Sequence, residues 1–103
     1  MVLVDVTADW CLTCKVNKAA VLDRGPVAGR LAGDVVAMRA DWTSPDPAIA
    51  EYLASFGRYG IPFNAVYGPE SPGGIALPEL LTEAAVMAAL RQAGDGGATA
   101  RLD

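Results

Sequence analysis

Residues 8–15 read "ADWCLTCK" and hold both cysteines of the chain, Cys11 and Cys14, with two residues between them. Upstream, "VLVDVT" at 2–7 is a short β-branched apolar run, the pattern of a strand covered on both faces in a parallel or mixed α/β sheet. Downstream, residues 11–22 read as a helix, with Val16, Ala19 and Ala20 expected on its inner face. The cysteine pair therefore falls where a strand hands over to a helix. Three chemistries compete for it: a metal site, a structural staple, or a dithiol that makes and breaks a disulfide.

A structural zinc site needs four ligands, usually Cys or His. This chain has two cysteines and no histidine, so a metal site would need a second copy. A staple gains from closing a long loop, and a loop from 11 to 14 is nearly the shortest possible. The redox reading has a positive case. Unpaired N–H groups and the positive dipole end at a helix start favour thiolate at Cys11. Cys14, one turn on, is expected to lie deeper and to act as the resolving sulfur. A CxxC beside a βαβ pattern is a thioredoxin-like sign in its own right.

The rest of the chain supplies that pattern. Its 103 residues suit one domain, and 52% hydrophobic against 19% charged residues fits a packed core rather than disorder. Net charge is −4 and no basic cluster occurs, which argues against nucleic acid as a partner. No apolar run approaches the ~18 residues of a spanning helix. "MVLVDV" lacks a charged leader and a cleavage site, and the abrupt start suggests a domain cut from a longer protein.

Pro26 opens a short helix that Gly33 ends, with Val27 and Leu31 facing in. Residues 35–40 read as a second strand. Asp46 and Pro47 start another helix, on which Ile49, Leu53 and Phe56 recur at helical spacing before Gly57. A third strand is expected over 63–67, a loop over "GPESPGG", and an edge strand in "IALPEL" because Pro78 cannot donate a ladder bond. Thr82 caps a last helix to Ala93, with Val86, Ala89 and Leu90 inside. The expected order is β-α-β-α-β-β-α, an α/β fold with a central mixed sheet flanked by helices. Residues 1–93 form the domain and 94–103, Gly-rich, a flexible tail.

"VDVTADWCLTCK" resembles the active-site stretch of thioredoxin-fold proteins. More narrowly, "DVTADWCLTCK", "ADWT" at 40–43 and "FGRYGIPFNAVYGP" at 56–69 resemble the C-terminal periplasmic domain of DsbD-type thiol:disulfide interchange proteins. The resemblance covers about residues 2–93 and implies a thioredoxin-like fold. It implies a cis Ile61–Pro62 bond beside the thiols, whose exposed backbone pairs with an extended substrate. It also places a buried, thiol-tuning carboxylate at Asp5. An acidic residue common in that family seven positions after the first cysteine is here Lys18.

The implied activity is protein-disulfide reduction, with Cys11 as nucleophile, Cys14 as resolving thiol, and electrons relayed from a membrane-embedded dithiol to a periplasmic partner. The expected partners are protein thiols and disulfides, foremost the membrane-embedded and N-terminal domains of its own parent protein. The place is the periplasmic face of the bacterial inner membrane, with a link to cytochrome c biogenesis. No cofactor beyond the Cys11–Cys14 disulfide and no metal is expected, and the isolated domain is expected to be a monomer. Trp10 is read either as covering the thiols and meeting the partner or as an aromatic packed against the core edge, and Lys15 as an exposed charge that can assist the thiolate. Trp42 is read as packing, and Arg58 and Tyr59 as shaping the binding face. The alternatives are a free-standing thioredoxin or cytochrome c maturation reductase and, outside enzymes, an interaction module with an idle CxxC.

Overall fold

The computed structural model describes residues 1–95, and the predicted tail lies outside them from residue 96 on. Strand β1 (Val2–Thr7) leads into helix α1 (Leu12–Asn17), which continues as a wider π-helical stretch over Lys18–Leu22. Helix α2 (Gly25–Ala32), strand β2 (Val36–Asp41) and helix α3 (Pro47–Ser55) follow. Strands β3 (Phe63–Gly68) and β4 (Ser71–Ala76) form a hairpin, and helix α4 (Glu83–Leu90) closes the fold through a π-helical turn over Arg91–Asp95. No helix among the described residues is long and apolar enough to cross a membrane.

The sheet order is β2-β1-β3-β4, with β1 parallel to β2 and antiparallel to β3. β1 is therefore central, which explains its apolar continuity. Its odd positions face one side, where Leu3 packs with Val27, Val66, Val86 and Leu90 under α2 and α4. Its even positions face the other, where Val6 packs with Leu53, Phe63 and Ala65 under α3. The predicted caps hold. Asp46 accepts from the backbone N–H groups of Ala48 and Ile49, and Thr82 accepts from that of Ala85. Gly57 follows α3 at φ +72°, a conformation that favours glycine.

Two expectations need correction. β4 lies earlier than "IALPEL": most of the expected loop is ladder, with Ser71 opposite Gly68 and Ile75 opposite Val66. The strand is the edge strand foreseen, but Pro72 rather than Pro78 is the proline inside it, tolerated because one side of an edge has no ladder to serve. Gly74, at φ +92°, lets the strand pass so close to the Tyr67 ring that an added Cβ would lie 2.7 Å from it.

The second correction concerns α1. Val16, Ala19 and Ala20 are exposed, and the buried face is instead Cys11, Cys14, Asn17, Val21 and Leu22. Reading only apolar residues missed this face, because a buried asparagine defines it. The Asn17 amide donates to the Glu79 carbonyl at 2.7 Å, and its oxygen accepts from the Leu81 N–H at 3.0 Å. Both ends of the side chain are satisfied, so burial is tolerated. Asn17 ties the cysteine helix to the segment entering α4.

Candidate active site

The turn after β1 closes with the Cys11 N–H donating to the Ala8 carbonyl at 3.1 Å. Cys11 is the N-cap of α1, in extended backbone, and its Sγ accepts from the Cys14 N–H at 3.1 Å. A sulfur thus occupies the place where Ser or Asp normally satisfies a free helical N–H. Cys11 and Cys14 form a disulfide, with Cα atoms 5.3 Å apart. Once reduced, the same N–H and the helix dipole favour negative charge at Cys11.

Burial does not distinguish the two sulfurs. Both cysteines are 5% exposed, so the expectation that Cys14 lies deeper is not met. The recess is built by Ala8 and Ile61, which pack on the pair. The Ile61–Pro62 peptide bond is cis, as expected. Pro62 is buried and Ile61 half-buried, which brings the start of β3 against the disulfide.

Beside this recess lie exposed aromatic side chains. Trp10 is 62% exposed and its indole N–H donates to the Thr43 carbonyl at 3.2 Å. The Asp9 N–H donates to Thr43 Oγ1 at 2.9 Å, so two bonds lock the loop before Cys11 to the loop after β2. Trp10, Trp42, Thr43, Tyr59 and Gly60 line an open groove of about 400 Å³. Tyr59 is 83% exposed. Trp42 packs against the Phe63 cluster, as its packing role requires. Arg58 does not shape the face: its guanidinium donates to the Leu77 carbonyl at 3.2 Å and lies 5.7 Å from the Phe63 ring centroid. Lys15 is exposed on α1.

Asp5 sits on the α1 side of the sheet, half-buried in a small cleft it shares with Lys18, Leu22 and Arg39. Burial pushes its carboxyl above the usual range; the Asn64 hydrogen bond and the charges of Arg39 and Lys18 oppose this only in part. Lys18 is held by an ion pair to Asp23 at 2.7 Å. Lys18 therefore lines the cleft beside the Asp5 carboxylate as well as meeting solvent. Asn64, 1% exposed, donates to Asp5 at 3.0 Å, a partner that the sequence alone does not single out. Its only sequence signal is a polar residue inside the apolar run "PFNAVY".

The raised carboxyl sets a pH dependence. Asp5 binds its proton more tightly folded than unfolded, so its effect on stability is most favourable below the ordinary value of 3.8 and is lost as pH rises through the raised one. Asp5→Asn removes that loss while keeping an acceptor for Asn64. The oxidised variant should gain about 0.5–1 kcal/mol near neutral pH. The gain should fade toward pH 4 in urea midpoints, and a gain independent of pH would contradict the assignment.

Comparison with known proteins agrees with this geometry. A family model described as thioredoxin-like matches residues 1–69. Over 61 residues, 59% of the chain, it is 41% identical to the thiol:disulfide interchange protein DsbD of Pseudomonas sp. (strain JR1 / K1), of whose length it spans 10%. Crystal structures of the Neisseria meningitidis DsbD C-terminal domain, reduced and oxidised, superpose with a TM-score of 0.68 each. They share 23% identity over 89% of this chain, and 79% and 78% of theirs, which shows a common fold.

Proposed function

The chain belongs to the thioredoxin-like family, and from that premise we propose that it is a thiol:disulfide oxidoreductase acting as a DsbD-type C-terminal domain. The observation that carries the reading is the Cys11–Cys14 pair, capping a helix with a backbone N–H aimed at the first sulfur. In the reduced domain the Cys11 thiolate attacks a partner disulfide. A Cys11–partner bond forms, and the partner's other sulfur leaves as a thiolate and takes up a proton. Cys14 then loses its proton and attacks Cys11 Sγ, releasing the second partner thiol. The partner gains two electrons and two protons, and the domain ends as the disulfide.

The proposed route runs from a membrane-embedded dithiol to a periplasmic partner, both in the parent polypeptide, at the periplasmic face of a bacterial inner membrane. The likeness to a thiol:disulfide interchange protein supports the exchange chemistry, and the placement and a role in cytochrome c biogenesis belong to the same proposal. The exposed Trp10 and Tyr59 beside a recessed disulfide fit docking of an extended partner segment at Ile61. The test uses reduced domain freed of reductant and mixed with oxidised periplasmic partner domain. Both thiols should be lost as two partner thiols appear. Persistence of free Cys11 and Cys14 beside an oxidised partner would refute the reading.

A further inference from the structure

The register sets three polar residues side by side across the sheet: Arg39 on β2, Asp5 on β1 and Asn64 on β3. All three project to the face that carries α1, since Leu3 and Val66, two positions away on β1 and β3, pack in that core. Asn64 is the odd member. It lies between the fully buried Phe63 and Ala65, where a polar side chain is costly without a task. Its amide donates to Asp5 Oδ1 at 3.0 Å and reaches the Val4 carbonyl at 3.5 Å. The first bond pins the carboxylate in the cleft it shares with Lys18 and Leu22, on the helical stretch that continues α1 from Cys14.

We propose that Asn64 is a positioning residue for thiol exchange, fixing the Asp5 carboxylate as the acceptor of the Cys14 proton. The inference rests on the oxidoreductase reading. An amide N–H is a donor, so the bond favours the ionised acceptor over the neutral acid. Arg39 from β2 and Lys18 from the helix add positive charge on the same carboxylate, and Asp23 holds Lys18. During resolution the Cys14 thiol proton passes to Asp5, directly or through a water, as Cys14 Sγ attacks Cys11 Sγ. The cleft that Asp5 shares with Lys18, Asp23 and Arg39 then returns that proton to solvent.

The experiment uses the full chain and oxidised glutathione at concentrations that saturate the first attack, and follows release of the second glutathione against pH. In the parent, release should rise with ionisation of Asp5. In Asn64→Leu that limb should move about one pH unit upward. In Asp5→Asn it should be absent, and adding Asn64→Leu should change nothing further. Asn64→Ser, smaller and still polar, serves if the leucine variant does not fold, and should move the limb in the same direction. An unmoved limb in a folded variant, or an equal shift in the Asp5→Asn background, overturns the role of Asn64. A parent that never releases the second glutathione instead refutes the oxidoreductase reading itself.

Discussion

Cys14→Ser should turn the domain into a trap that holds its partner as a mixed disulfide on Cys11. The wild-type release step is intramolecular, between sulfurs the fold already holds within bonding distance. Well-placed intramolecular groups act at effective concentrations far above any external thiol, on the order of 10⁵ M or more. With Cys14 gone, release depends on a millimolar thiol from solution and on a path into a recess only 5% exposed. Release should slow at least ~10³-fold. Non-reducing gels of a domain–partner mixture should show a covalent adduct that excess dithiothreitol dissolves. A variant that releases its partner at the parent's rate would mean that Cys14 is not the resolving sulfur.

Phe63→Ala should cost about 3–5 kcal/mol. The ring is fully buried in the α3-side core. It meets Tyr52 edge-on at 5.7 Å and Phe56 at 5.2 Å, with Arg58 over its face at 5.7 Å. Such contacts add to plain area burial. Domains of this size are stable by only about 5–15 kcal/mol, so one truncation removes a large share. Phe63 also follows Pro62 directly, so it anchors the segment that carries Ile61 to the disulfide. The oxidised variant should show a much lower urea midpoint, and Phe63→Leu should recover most of the loss. A cost below about 1 kcal/mol would mean that the core repacks around the gap.

Cys11 and Cys14 were legible because a CxxC at a strand-to-helix junction has few chemical uses, whereas the cis bond at Pro62 was legible only through the resemblance to thioredoxin-fold proteins. The strands β1 and β3 and the caps Asp46 and Thr82 were legible because periodicity and capping are local. Asn17 and Asn64 were not. Each is buried only because its partner lies about 60 residues away in the chain: Asn17 reaches Glu79 and Leu81, and Asn64 reaches Asp5. A local pattern scores such residues as surface, so it assigns α1 the wrong inner face. The start of β4 was lost for a similar reason. "SPGG" reads as loop on its own, and only pairing with β3 and the left-handed Gly74 make it strand. Asp5 stands out in the sequence as a charge inside an apolar strand, yet its three tuning neighbours come from three other elements.

The central claim is that Cys11, not Cys14, is the attacking sulfur. Equal burial of the pair cannot decide this, so it rests on the cap geometry, where the Cys14 N–H points at Cys11 Sγ. The most direct measurement is limiting iodoacetamide on the reduced domain near neutral pH, followed by mass mapping of the alkylated site. The account predicts that Cys11 is labelled at least ~10-fold faster than Cys14, because only thiolate reacts appreciably. Equal labelling, or labelling first at Cys14, would contradict it.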